Sequence, residues 1–310
     1  MATPAHAIFI TDFVPVSSYV ALAQQTQYAS TVYLADNTSP VGGETAQFCS
    51  GTLISANVVL TAAHCVDDGA TGTVTPAATI TTGFTANVPA TIPSGNVASV
   101  VVNPGWYDKP GGDAIHDQAI LTLSSPLTGV LPADIWLGNP VGMIGTLLGY
   151  GYQDTGSGAA TTLNGYGYNL PGATDLLAAQ NMIDALDPTF GLESDFDNPA
   201  GTTSSLGSAI PLPLEGTTCF GDSGGPLFVS VNGQALLVGD LNGGASNPYG
   251  PSCYYGDVSN WSPLDNSENV SFIANNDPAA DFVSPEPASA VLIGAGLLAF
   301  VAVRRGRRPA

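Results

Sequence analysis

The sequence predicts an all-β protein, a barrel or sandwich of many short strands. Two observations carry that prediction. Glycine (37) and proline (24) are abundant, while only 10% of the 310 residues are charged. Such a composition suits turns better than helices. Segments rich in β-branched residues also alternate with clusters of Gly, Pro, Asn and Asp, the pattern of short strands joined by turns. Tyr28–Leu34, Val58–Thr61, Ala119–Leu123 and Ala235–Leu241 read as such strands. Only Thr174–Leu186 has apolar spacing that suits a short helix. There is no internal repeat, and 310 residues suffice to bury a sizeable core.

The charge is lopsided. There are 25 acidic and 5 basic residues, a formal net charge of −20. Arg304, Arg305, Arg307 and Arg308 sit at the extreme C-terminus, and Lys109 is the one basic residue elsewhere. A body this acidic repels phosphates, which excludes nucleic acid as a partner. The cysteines are Cys49, Cys65, Cys219 and Cys253, and four allow three pairings. No C-x-x-C spacing occurs and histidines number three, so no metal site is expected. An even count suits two disulfides formed in an oxidising compartment.

Both ends carry export features. Ala5-His6-Ala7 has the small-x-small form of a signal-peptidase site, so residues 1–7 read as the remnant of an export signal. At the other end, residues 277–287 form a polar, proline-containing linker. Residues 288–303 are an uncharged apolar run, long enough as a helix to cover roughly 24 Å. That falls slightly short of a hydrocarbon core of ~30 Å, which thinning or snorkelling arginines accommodate. The basic tail, 304–310, would stay cytoplasmic and leave the body outside. The Pro285-Glu286-Pro287 motif, apolar span and arginine cluster together resemble the PEP-CTERM sorting signal of Gram-negative bacteria. That resemblance implies recognition by an exosortase-type membrane enzyme, with transient anchoring in the inner membrane and removal of the tail.

Three separated motifs carry chemistry: Leu60-Thr61-Ala62-Ala63-His64-Cys65, His116-Asp117-Gln118-Ala119-Ile120-Leu121 and Gly221-Asp222-Ser223-Gly224-Gly225-Pro226. A serine hydroxyl is a weak nucleophile at neutral pH and needs an adjacent base. Histidine can accept and return its proton, and a carboxylate can hold the imidazole in the right tautomer. Asp108 and Asp113 compete locally with Asp117, but neither leads into a strand such as AILTL. His116 reads as structural.

With its order His, Asp, Ser, the chain resembles the trypsin/chymotrypsin family of serine endopeptidases over about Tyr28–Asn276, and residues 8–276 are expected to form that domain. The resemblance implies two six-stranded antiparallel barrels packed face to face, followed here by a C-terminal transmembrane helix. It implies His64, Asp117 and Ser223 as a catalytic triad, and the amides of Gly221 and Ser223 as the oxyanion hole. It pairs Cys49 with Cys65 and Cys219 with Cys253. Peptide hydrolysis through an acyl-enzyme, on protein or peptide substrates and without cofactor, follows.

Departures from the family pattern bear on activation and specificity. The usual Ile-Val-Gly-Gly start is absent. Cleavage after Ala7 would make Ile8 the new terminus, its ammonium available to Asp222. Thr217 takes the base position of the specificity pocket, where cleavage after Lys or Arg calls for an acid. Asn242-Gly243-Gly244 replaces Ser-Trp-Gly along its wall. An uncharged residue before the scissile bond is therefore expected, unless Glu215 or Asp240 supplies a charge from another wall. Two other readings remain: an inactive surface-binding homologue, and an exopolysaccharide-associated structural protein suggested by the tail.

Overall fold

The computed structural model describes residues 8–41, 44–67, 69, 72–84, 95–157, 176–207, 210–245 and 252–285. The export remnant at 1–7, Glu286 and Pro287 of the linker motif, the apolar run and the basic tail lie outside these. Among the described residues no helix is long and apolar enough to cross a membrane.

In chain order the elements are β1 (Phe9–Ile10), α1 (Val16–Ala23), β2 (Thr31–Val41), β3 (Glu44–Ser55), β4 (Val58–Thr61), β5 (Ile80–Gly83), β6 (Gly95–Val102) and β7 (Ala119–Leu123). There follow β8 (Ile135–Trp136), β9 (Ile144–Gly149), β10 (Leu177–Met182), β11 (Ala185–Asp187), β12 (Gly191–Asp195) and β13 (Gly216–Thr217). The chain continues through β14 (Pro226–Val231), β15 (Gln234–Ala245), β16 (Val258–Pro263), α2 (Ser267–Asn276) and β17 (Phe282–Val283). The fold is all-β, as the composition implies.

The first barrel closes as expected. Its six strands run β2-β3-β4-β7-β6-β5 and back to β2. Leu34, Leu53, Val59, Ile80, Val97 and Leu121 fill its interior. The strands Val58–Thr61 and Ala119–Leu123 lie where their β-branched, turn-bounded segments place them, paired in register from Val58↔Thr122 to Thr61↔Ala119.

The second unit corrects the expectation of two closed barrels. It is a nine-stranded sheet with the main path β10-β9-β14-β15-β16-β12-β11, curled into a half-barrel. The physical reason lies at its open seam between β10 and β12. There the closing contacts come from a side chain and a connecting loop, not from a strand ladder. Asn181 Nδ2 donates to Asp195 O at 2.7 Å and to Gly216 O at 3.0 Å, and Gln180 N donates to Leu214 O at 2.8 Å. β13 is drawn off to pair with β1 instead.

The helix expected at Thr174–Leu186 is likewise corrected. Residues 177–182 pair with β9 along their whole length, from Leu177↔Gly149 to Met182↔Ile144. The helix preference of leucine and alanine is worth only tenths of a kcal/mol per residue, and pairing with β9 together with full burial of Leu177, Ala178 and Ala179 overrides it. Among the described residues the α-helices are α1 and α2, which went unread in the sequence.

The two units pack through Tyr28, Ile54, Leu60, Leu148, Tyr150, Phe228 and Phe272. α2 docks on this seam through Phe272 and Ile273, and its Asn269 reaches the loop ahead of β7. Disulfides join Cys49 to Cys65 and Cys219 to Cys253, at Cα separations of 6.2 and 5.4 Å. Each ties a motif segment to a neighbouring strand or turn. In the chain-entropy account a loop of about this size stabilises by ~3 kcal/mol.

Buried acids crowd the seam. Asp195 Oδ2 accepts the amides of Ser205 and Leu206, and Glu215 Oε2 accepts that of Leu212 at 2.6 Å. Burial pushes the carboxyls of Asp184 and Asp197 up to about 7, and that of Glu215 to about 8, with neighbouring acids adding to the rise. The folded chain therefore holds protons that the unfolded chain releases above pH ~4. Stability from these groups is complete below that pH and is lost as pH rises through 7–8. Calorimetry is expected to show a thermal midpoint several degrees higher at pH 5 than at pH 8.5. Glu215→Gln should flatten that slope, and a midpoint that instead rises toward pH 8.5 contradicts the account.

Candidate active site

His64 sits in a short 3-10 turn, Ala63–Cys65, at the end of β4. The Cys49–Cys65 bond anchors that turn to β3. Asp117 follows another 3-10 turn, Ala114–His116, just ahead of β7. Because β4 and β7 are paired neighbours, the two side chains meet. His64 Nδ1 lies 2.6 Å from Asp117 Oδ2, and Asp117 Oδ1 accepts the His64 backbone N–H at 2.9 Å. Asp117 is buried, whereas 33% of the His64 side chain remains exposed. Burial alone would lower the imidazole pKa, but the Asp117 charge and its hydrogen bond outweigh that and leave it raised.

The Asp117 loop is braced from several sides. Asp113 caps its turn by accepting the Ile115 amide at 3.2 Å and also takes Lys109 Nζ at 2.9 Å. Asn269 of α2 donates to Ile115 O at 2.8 Å. His116 faces Glu268 Oε2 at 3.1 Å and Asp113 Oδ2 at 3.6 Å, a structural surrounding away from His64. Asp108 is exposed at the end of its own turn.

Ser223 comes from the second unit, on the turn that leads into β14. Its carbonyl accepts the Ser50 amide at 2.8 Å, which ties the turn to the first barrel. Gly221 has φ +90°, and a Cβ there would stand 2.8 Å from Gly151 Cα. Gly224 has φ +75°, and its Cβ would meet Thr61 Oγ1 at 2.2 Å. Both positions exclude a side chain. Among the described residues the amides of Gly221 and Ser223 donate to no other group. Ser223 and His64 border one pocket of about 290 Å³. No hydrogen bond joins their side chains, and in unliganded enzymes such bonds are often long.

Beneath the serine turn Asp222 is fully buried. It accepts the amides of Gly151 and Cys219, each at 2.8 Å, and that of Ile8. Burial raises its carboxyl to about 7 against the opposing pull of those three bonds.

The pocket that Ser223 and His64 border takes in part of the lining expected from the sequence. Gly243 and Gly244 line it, but Thr217 and Asn242 do not. Pairing with Phe9 in β1 turns Thr217 inward, where its hydroxyl contacts Ser259 Oγ at 2.8 Å. Asn242 turns away to Ala114 O at 2.8 Å and Phe190 O at 2.9 Å, so it braces the loop before Asp117. Glu215 and Asp240 are buried and do not border the pocket. Asp240 Oδ1 instead accepts Gln118 Nε2 at 2.9 Å, and its burial holds that carboxyl well above the ordinary range. The polar wall is built from Thr218, Ser252, Ser259 and Asp257. These were missed, and the available signal was Cys253, whose bridge to Cys219 draws the residues after it to the serine loop.

Cys49, His64 and Cys65 approach closely enough to suggest a metal centre. The two sulfurs are bonded to each other, however, so the cluster offers one nitrogen and cannot ligate an ion.

A closed barrel facing a half-barrel, with a histidine and a glycine-flanked serine across one cleft, defines a serine hydrolase class of protein. A family model for trypsin matches residues 21–184, over half of the chain, and the chain belongs to that family. It is 30% identical over 212 residues to chymotrypsin-like elastase family member 1 of Canis lupus familiaris, covering 64% of this chain and 70% of that protein. It is 28% identical over 213 residues to trypsin of Saccharopolyspora erythraea, covering 67% of this chain and 81% of that one. The protein is a serine endopeptidase.

Proposed function

We propose that His64, Asp117 and Ser223 are its catalytic triad and that it hydrolyses protein or peptide substrates through an acyl-enzyme. The observation that carries this is the 2.6 Å contact between His64 Nδ1 and Asp117 Oδ2, beside a pocket that Ser223 shares. Ser223 Oγ attacks the scissile carbonyl while His64 Nε2 takes its proton. The amides of Gly221 and Ser223 stabilise the oxyanion, at about 3 kcal/mol per donor. His64 then gives the proton to the leaving amine. Water, activated by the same imidazole, releases the acyl group from Ser223. Asp117 holds the Nδ1 proton and stabilises the imidazolium throughout. Because the imidazole must be neutral to act as base, activity rises with pH through the raised His64 pKa.

The two disulfides support an exported protein. On this reading the domain spans 8–276, and the linker, apolar segment and arginines form a sorting tail that anchors the chain until an exosortase-type enzyme removes it. The body then acts outside the cell or at its surface.

The test is covalent labelling. A fluorophosphonate is expected to add to the peptide that contains Ser223, and Ser223→Ala should abolish the adduct. Peptide hydrolysis that persists without any adduct at Ser223 overturns the assignment.

A further inference from the structure

Two polar side chains meet where apolar strands pack. Gln118 leads into β7, whose first residues Ala119, Ile120 and Leu121 are fully buried. In β15 the run Leu236-Leu237-Val238-Gly239-Asp240-Leu241 has Asp240 as its one polar side chain. Gln118 and Asp240 are themselves fully buried, and Gln118 Nε2 donates to Asp240 Oδ1 at 2.9 Å. The bond crosses from the first barrel to the second unit. On its other side Gln118 Oε1 accepts Asn103 Nδ2 at 3.4 Å, and Asn103 Nδ2 also donates to Asn269 Oδ1 at 3.1 Å. An apolar pair would fill the same space without the cost of desolvating a carboxyl and an amide. What the polar pair adds is a fixed distance and direction.

The place of that bond gives it a role. Asp240, Leu241 and Asn242 are consecutive in β15. Asp240 holds Gln118, the residue after Asp117, and Asn242 holds Ala114 O at 2.8 Å on the other side of Asp117. Between them Leu241 bonds to the serine turn. Its amide donates to Gly225 O at 2.9 Å, and its carbonyl accepts the Gly224 amide at 2.8 Å. One short stretch of chain thus grips both halves of the triad. We infer that Asp240 is a positioning residue, which acts through Gln118 to hold Asp117 in place relative to Ser223. The inference rests on the reading of His64, Asp117 and Ser223 as the triad.

Asp240 does this as the neutral acid. Among the described residues no cation faces it. Lys109 is held by Asp113, His116 lies against Asp113 and Glu268, and His64 faces Asp117. The strands packed against β15, namely β14, β16, β8 and β4, carry no ionisable side chain. The turn Thr26–Tyr28 brings Tyr28, which bonds to Thr146 Oγ1 at 3.2 Å. Asp240 Oδ2 has no hydrogen-bond partner among the described residues, which a protonated acid tolerates far better than a carboxylate. Burial, joined by the charge of nearby Asp117, holds the Asp240 carboxyl well above its ordinary range despite the Gln118 bond. A second anion behind Asp117 would stabilise the imidazolium of His64 and so withhold the base. The neutral acid anchors Gln118 without that effect.

The test is kinetic, with active sites counted by fluorophosphonate and folding followed by the thermal midpoint. Asp240→Leu removes the acceptor, and Gln118→Leu combined with Asp240→Leu replaces both partners by apolar groups. Replacing both can leave stability nearly unchanged, so the double variant separates positioning from folding. In each, kcat is expected to fall by roughly ten- to a hundredfold with KM little changed, the scale of a misplacement of about 1 Å. Should the leucine variants fail to fold, Gln118→Asn withdraws the amide by one methylene and is expected to show the same loss. Asp240→Asn keeps an acceptor for Gln118 and mimics the neutral acid. It should restore most of the lost kcat and leave the His64 midpoint in the pH profile of kcat/KM unmoved. A folded double variant, or Gln118→Asn in its place, with wild-type kcat overturns the inference and leaves the triad standing. So does an Asp240→Asn enzyme as slow as Asp240→Leu, or one whose His64 midpoint falls. Near-normal turnover in Asp117→Asn overturns the triad and this inference with it.

Discussion

Replacing His64 with alanine is expected to lower kcat by about 10⁶-fold, the scale seen when a serine peptidase loses its base. No other group among the described residues stands ready to take the proton. The remaining histidine of the described body, His116, faces Asp113 and Glu268. Asp117→Asn is expected to cost less, about 10⁴-fold, the magnitude known for the same change in a related enzyme. The geometry explains the difference. Asparagine can still accept the His64 backbone N–H now held by Asp117 Oδ1 at 2.9 Å. Its amide group then faces Nδ1 at the 2.6 Å contact and donates to it. The imidazole proton moves to Nε2, which can no longer accept from the serine. Steady-state kinetics normalised to folded protein will measure both losses. Near-normal turnover in Asp117→Asn would remove Asp117 from the triad.

Processing between Ala7 and Ile8 is expected to switch the enzyme on, and Asp222→Asn to reduce kcat/KM by at least a hundredfold. Ile8 is fully buried among Tyr19, Leu177 and Ala179, and its amide already reaches Asp222. Its φ of +70° is costly for a β-branched residue. Cutting the preceding bond removes that torsional restraint and turns the amide into an ammonium. A buried carboxyl raised to about 7 then gains a cation, which draws its pKa down. Breaking such a buried pair costs about 3–5 kcal/mol. Asp222 also accepts the amides of Gly151 and Cys219, so the loss falls on the loop that aims Gly221 and Ser223. The ammonium's folded pKa is raised by its partner, so this contribution is present at neutral pH and is lost as pH rises through it. N-terminal sequencing of active enzyme should begin at Ile8. A different terminus, or unchanged kinetics in Asp222→Asn, would sink the idea.

Short apolar, β-branched strands with turn-bounded ends were legible because their neighbours along the chain carry the information. Val58–Thr61 and Ala119–Leu123 form where they were read. Thr174–Leu186 was misread because its partner, β9, begins thirty residues earlier at Ile144. Local helix preference is worth a few tenths of a kcal/mol per residue, less than a buried ladder supplies. The half-barrel was unreadable for a related reason. Its seam depends on Asn181 meeting Asp195 and Gly216 across the fold.

The chain alone determined the chemistry available: one histidine before Cys65, one aspartate ahead of an apolar strand, and a serine between glycines that no side chain can replace. Those are properties of residue types and short spacings, which local sequence carries in full. Tertiary structure decided which side chains line the pocket beside Ser223. Thr217, Glu215 and Asp240 lie within twenty residues of Ser223 in sequence, yet pairing and burial turn all three away from the pocket. Asp257 is farther along the chain and arrives through a disulfide and a left-handed turn. A pocket forms through space, so its lining follows from strand pairing and folded distance and not from the count of residues between.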